Sequence, residues 1–138
     1  MELNTVHHFD CIEGMHQLPD MSIDLAVVDP PYGINFRSSN RKKYPLKSSD
    51  GILNDELDNA DFLESVIVEI NRVLKTNSHI YWFTRWDKVK IQQPLLEKFF
   101  QVKNSLIWMK MVGRWVISEE PTPDNMKTFC FARKAAGT

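Results

Sequence analysis

The sequence predicts an α/β domain whose central strands run parallel and whose last two strands form an antiparallel edge pair. Three observations predict it. A valine-rich run, Ile23 to Val28, ends abruptly in the turn Asp29-Pro30-Pro31-Tyr32-Gly33. Apolar residues then recur at helical spacing from Phe62 to Leu74 and lead into an aromatic strand. The chain has 138 residues, 43% hydrophobic and 25% charged, the size and balance of one globular domain spanning 1–138.

The same arithmetic excludes several classes. No apolar run approaches the roughly 20 residues that cross a membrane. Met1 to Thr5 has no basic cluster leading into an apolar run, so neither a secretory signal nor a membrane partner is expected, and the expected location is cytoplasmic. With a net charge of −1, any nucleic-acid contact must come from a local patch. Cys11 and Cys130 are expected to be reduced thiols rather than a framework or a nucleophile. His7, His8, His16 and His79 lack ligand spacing with them, so no metal site is expected.

Taken in order, Val6 to Phe9 is the first apolar segment and is read as a strand, and a short helical stretch follows from Asp10-Cys11 to Leu18. Pro19-Asp20 stops that stretch before the strand Ile23 to Val28. Ile34 to Leu57 has little periodicity and is read as a long loop, a length that in a compact domain points to function or disorder. Its charge is asymmetric: Arg37, Arg41, Lys42, Lys43 and Lys47 come first, then Asp50, Asp55 and Glu56. In the next helix Asp61 and Glu64 suit the positive N-terminal end, and Lys75-Thr76-Asn77 supplies the stop. His79 to Thr84 is a strand, with Trp82 expected in the core. Asp87 to Phe100 is helical, with Pro94 as a break or a fresh start. Ser105 to Met109 and Met126 to Arg133 are strands, and the loop between them, Gly113 to Asn125, carries Trp115 as a candidate for exposure. Helices alternating with strands in the middle argue for parallel pairing there, and the final pair lacks a helix between its members.

The turn after the second strand carries the chemistry. Ligands of open α/β sheets bind at the carboxyl ends of the strands, which is where Asp29 to Gly33 sits. An exocyclic base amine is a poor nucleophile because its lone pair is delocalised into the ring. Two acceptors on its hydrogens pull the nitrogen toward a tetrahedral shape and free that pair. Asp29 offers a carboxylate, the Pro30 carbonyl offers the second acceptor, and Pro31 stiffens the backbone that holds it. Tyr32 offers a face for a flipped-out base, worth about 1–3 kcal/mol per stacked base. Gly33 removes a side chain where the chain turns or a ligand approaches. By average composition the tetrapeptide Asp-Pro-Pro-Tyr arises by chance in about one in a thousand chains of this length, or fewer.

Asp10-Cys11 through Leu18-Pro19-Asp20, and Ser22-Ile23-Asp24-Leu25 into Asp29-Pro30-Pro31-Tyr32-Gly33, closely resemble the opening of the permuted, β-class amino-methyltransferases of DNA. Glu69 to Lys75 with the following strand, Leu106 to Lys110, and Phe129 to Lys134 are similar to that family's later blocks. The resemblance implies a Rossmann-like fold for S-adenosylmethionine-dependent methyl transfer, present in part, with DNA as partner and adenine N6 as the acceptor. It implies that Asp29, Pro30, Pro31 and Tyr32 form the catalytic loop, and that Asp10, Cys11 and Asp29 contact the cofactor. Phe9 stands where the family usually has glycine before that acid. By the same resemblance Tyr32, Gly33, Trp108 and Lys110 are expected near the target base, and Arg37, Arg41, Lys42 and Lys43 are expected to form a basic patch for DNA phosphates.

The family's glycine-rich cofactor loop has no counterpart among the five glycines, at 14, 33, 51, 113 and 137. The chain is therefore expected to be the N-terminal portion of such an enzyme, without the strands that bridge the Asp29 strand to the rest of the sheet. A second polypeptide, or self-association, would complete it. Three alternatives stand beside adenine methylation. One is a truncated, non-catalytic relative that binds nucleic acid or a partner chain. Another is cytosine N4 as the target, and the third is RNA or a protein amide as substrate.

Overall fold

Residues 2–35, 52–56, 59–109 and 126–135 are described by a computed structural model of the chain. Four strands and three helices form in the order α1 (Cys11–His16), β1 (Ile23–Val28), α2 (Ala60–Val73), β2 (Leu74–Thr84), α3 (Val89–Glu97), β3 (Gln101–Met109) and β4 (Met126–Arg133). The sheet is mixed, with spatial order β1-β2-β4-β3. β1 and β2 are parallel, and β4 runs antiparallel to both β2 and β3. β3 therefore points the same way as β1 and β2, and the carboxyl ends of all three share one rim.

Two expectations need correcting, and one holds. Val6 to Phe9 is not a strand: the described residues offer it no pairing partner, and Val6 is fully exposed. The last two strands do form an antiparallel pair at one edge of the sheet, with β3 outermost and β4 between β2 and β3, exchanging ladder bonds with both. No bridging strand is needed, since β1 pairs directly with β2, from Leu25 opposite His79 to Val28 opposite Trp82.

α2 forms for the reason its spacing implies. Leu63, Val66, Ile67, Ile70 and Val73 fall on one face and are buried, the first four in one core with Ile80, Trp82, Cys130 and Ala132 of the sheet. Leu96 and Phe100 complete that core from α3 and the residues after it. The core is not wholly apolar. Trp82 is fully buried, and its Nε1–H donates to Oε1 of buried Gln92 at 2.9 Å. Pro94 does not break α3. Pro94 and Lys90, whose carbonyl loses its donor there, are both exposed, so water takes over that acceptor.

Two cations staple the layers. The Arg72 guanidinium, on α2, donates to the Met15 and Leu18 carbonyls at 2.8 and 3.0 Å and to Asp20 at 2.6 Å, serving the acceptors left at the end of α1. Buried Lys134 donates to the Asn71 and Leu74 carbonyls at 2.6 and 2.9 Å where α2 passes straight into β2. There the β1–β2 register shifts, and Asn77 takes a left-handed φ of 64°.

The described helices pack on one face of the sheet. Strand side chains alternate, so Leu25, Val27, His79, Tyr81, Phe131 and Leu106 point to the other. Leu25 is 50% exposed and Val27 64%. Among the described residues no helix is long and apolar enough to cross a membrane.

Removing the buried indole donor tests how far the core depends on it. Trp82→Phe is expected to lose about 1–3 kcal/mol in urea unfolding, because Gln92 is left buried without its partner. Adding Gln92→Leu is expected to return most of that loss. Unchanged stability in the single variant would remove the argument.

Candidate functional site

β1 ends at Val28, and the next five residues turn across the carboxyl rim of the sheet. Two prolines in a row supply no N–H and forbid continuation of the ladder. Asp29 is exposed at the rim, Pro30 is buried, and Pro31 and Tyr32 are half-buried. The Tyr32 hydroxyl donates to Oδ1 of Asp29, which fixes the ring and the carboxylate relative to each other.

Gly33 has a φ of +69°, the left-handed region. A Cβ there would stand 2.7 Å from Oδ1 of Asn59 and 3.0 Å from the Glu56 carbonyl. Glycine is needed for conformation and for close approach alike.

Side chains from two distant segments hold this turn. Oδ1 of Asp55 accepts from the Gly33 and Ile34 amides at 2.8 and 3.3 Å. Asp55 is only 2% exposed, and its carbonyl accepts from the Asn35 amide at 2.6 Å. Asn59, at the start of α2, donates through Nδ2 to the Pro31 carbonyl at 3.1 Å and the Asn54 carbonyl at 3.0 Å. Lys88, just before α3, donates through Nζ to the Gly33 carbonyl at 2.6 Å. Sequence reasoning missed all three as site residues. Asp55 stands in the acidic run after the basic residues, Lys88 falls in the stretch read as helix from Asp87, and no local pattern singles out Asn59.

Two cavities meet at the turn. A groove of about 520 Å³ runs along the outer edge of β1, walled by Cys11 and Met15 of α1 and by Phe62, Val66 and Ile70 of α2. A second cavity of about 300 Å³ is lined by Tyr32, Ile34, Ile52 and Asp55. Asp29, Pro30 and Pro31 line both.

The remaining candidates are spread around this centre. Asp10 is exposed and is not among the residues lining the groove; its Oδ1 caps α1 by accepting from the Ile12 and Glu13 amides at 2.9 and 3.3 Å. Cys11 reaches the groove, and desolvation, then the neighbouring Asp10 carboxylate, raises its thiol pKa above the ordinary value. Cys130 is buried in the core, and that burial also raises its thiol pKa. Trp108 is half-exposed near the carboxyl end of β3. It shares the rim with Asp29 but lies three strand spacings away, about 14 Å across the sheet. Arg37, Arg41, Lys42, Lys43, Lys110 and Trp115 lie outside the described residues.

A DNA methylase family model matches residues 23–137. The DNA adenine methyltransferase YhdJ of Escherichia coli is 28% identical over 109 residues, covering 78% of this chain and 33% of that protein. The type II methyltransferase M.HinfI of Haemophilus influenzae is 29% identical over 114 residues, covering 78% and 32%. The chain thus spans about a third of the length of the curated relatives it matches. Among solved structures, the Thermus thermophilus protein TTHA0409 complexed with S-adenosyl-L-methionine superposes with a TM-score of 0.60 at 20% identity, covering 93% of this chain and 52% of that one. That last likeness is one of fold.

Gly33→Ala is expected to cost about 1–3 kcal/mol in urea unfolding, because a Cβ is forced into a left-handed conformation against Asn59. An unchanged midpoint would mean that the turn relaxes freely. Cys11 has a raised pKa, so its thiolate fraction lags behind that of a free cysteine. Its alkylation by iodoacetamide is expected to keep accelerating at a pH where a free cysteine has levelled off, and an early plateau would contradict the assignment.

Proposed function

This chain belongs to the DNA methylase family, and on that premise we propose that its rim turn transfers a methyl group from S-adenosylmethionine to the exocyclic amine of a DNA base, adenine N6 in the first place. One observation carries the reading: Asp29, Pro30 and Pro31 form the wall shared by two cavities. A two-substrate transfer needs such a wall, with acceptor groups at the junction.

The residues present fit the cofactor on the groove side. Cys11, Phe62 and Val66 give an apolar wall that suits a nucleoside base, and Asp29 lines the same groove with a carboxylate that suits a cationic group. Asp10 supports the apolar wall by holding the first turn of α1 that carries Cys11. When bound, S-adenosylmethionine supplies a methyl carbon on a positively charged sulfur.

The chain's own residues then do three things. Asp29 accepts one hydrogen bond from the amine and the Pro30 carbonyl accepts the other, which exposes the nitrogen lone pair to the groove side. Tyr32 presents its ring to the base in the smaller cavity while its hydroxyl steadies Asp29. Asp29 is also placed to receive the proton that the amine gives up as the new N–C bond forms and the sulfur–methyl bond breaks, leaving a neutral thioether. The relative in Escherichia coli is named an adenine methyltransferase, which favours adenine over cytosine as the acceptor. The named relatives are bacterial DNA methyltransferases, which supports a cytoplasmic location under this reading.

A second reading is favoured by one specific feature. Among the described residues no strand pairs with the outer edge of β1, and Leu25 and Val27 are exposed beside it. Residues 1–138 then act as one part of a larger catalytic unit, and a second polypeptide or a second copy extends the sheet there.

The test is transfer of labelled methyl from S-adenosylmethionine into unmethylated DNA, followed by nucleoside analysis, with Asp29→Ala alongside. The expected result is label in 6-methyladenine and a loss of about 10²-fold or more in the variant. Label in 4-methylcytosine would move the target base. Full transfer by the variant would overturn the role of Asp29, and no label from the folded wild-type chain would favour the second reading.

A further inference from the structure

We propose that Asp55 and Lys88 are positioning residues of the transfer reaction, acting on the reacting groups through Gly33; the inference rests on the reading of residues 29–32 given above. They bracket a single residue with opposite charges. The Asp55 carboxylate takes the Gly33 N–H at 2.8 Å, and the Lys88 ammonium takes the Gly33 carbonyl at 2.6 Å. Both bonds are charge-assisted and so stronger than neutral ones. Asp55 is withdrawn from water to make its bonds, which costs free energy unless those amides repay it.

Gly33 is the residue next to Tyr32, and the Tyr32 hydroxyl is bonded to Asp29. Rotation at Gly33 swings the Tyr32 ring and drags the Asp29 carboxylate with it. Holding Gly33 at both ends therefore holds the stacking ring and the acceptor together.

The clamp also sorts the carbonyls of the turn. Asn59 takes that of Pro31 and Lys88 takes that of Gly33. Among the described residues no hydrogen bond ends on the Pro30 carbonyl, the acceptor assigned to the amine. Tying back its neighbours fixes the direction in which that carbonyl points. The two anchors come from different elements, the segment before α2 and the turn before α3, so the site is assembled only when both elements are docked on the sheet.

The experiment compares wild type, Asp55→Ala, Asp55→Asn and Lys88→Met by steady-state methyl transfer and by amide hydrogen exchange at Gly33. Asp55→Ala and Lys88→Met are expected to lower kcat by about 10²-fold while KM for S-adenosylmethionine stays within about threefold. Asp55→Asn keeps an acceptor oxygen and is expected to recover part of the loss. Gly33 exchange is expected to rise at least about tenfold in Asp55→Ala, with Ile67 in the core of α2 unaffected. A kcat loss matched by KM, or by faster exchange throughout α2, would reduce Asp55 to a structural role and overturn the proposal. Unaltered Gly33 exchange in Asp55→Ala would overturn the clamp while leaving the reading of residues 29–32 intact. A wild-type chain with no transfer would instead overturn the positioning role for this chain by itself and favour the reading of it as one part of a larger catalytic unit.

Discussion

Two prolines at the end of a parallel strand leave a turn that cannot supply its own hydrogen bonds, and much of the site is arranged around that deficit. Pro30 and Pro31 bring no amide protons, and the chain must reverse at once through a left-handed Gly33. The polar groups that remain are met by Asp55, Asn59 and Lys88, which lie 22 to 55 residues further along the chain from their partners. Those bonds place the start of α2 and the end of the β2–α3 connection against the rim. Parallel pairing of β1 with β2 makes this possible, because it sets their carboxyl ends side by side.

The layers behind the rim solve a different problem. A sheet covered by helices on one side needs those helices held in register with it, and apolar contact alone is poorly directional. Arg72 and Lys134 supply direction. Each bonds backbone carbonyls at a helix end, where the main chain has acceptors to spare. Arg72 also holds α1, and through it Cys11, beside the groove.

The edge position of β1 has two consequences that are the same fact seen from two sides. Because nothing described pairs with its outer edge, the groove runs there, open along the strand and closed at the rim by Asp29. For the same reason Leu25 and Val27 stay exposed on the uncovered face. Among the described residues, the site and an open sheet edge thus coincide.

Local patterning was enough to locate β1, α2, β2, β4 and the chemical turn, because each signal sits within a few consecutive residues. The valine run stops at Pro30, the 3.6-residue spacing runs from Leu63 to Val73, and a rare tetrapeptide follows a strand. Only the tertiary structure decided which strands neighbour which. β4 enters between β2 and β3 because pairing is a competition among all strands for partners, which no local period records. No local period records either that Val6 to Phe9 lies outside the sheet despite its apolar side chains. The clamp on Gly33 was illegible for a related reason. An aspartate, an asparagine and a lysine each look like surface residues in sequence, and burial against one turn, set by the docking of α2 and α3, is what turns them into its supports.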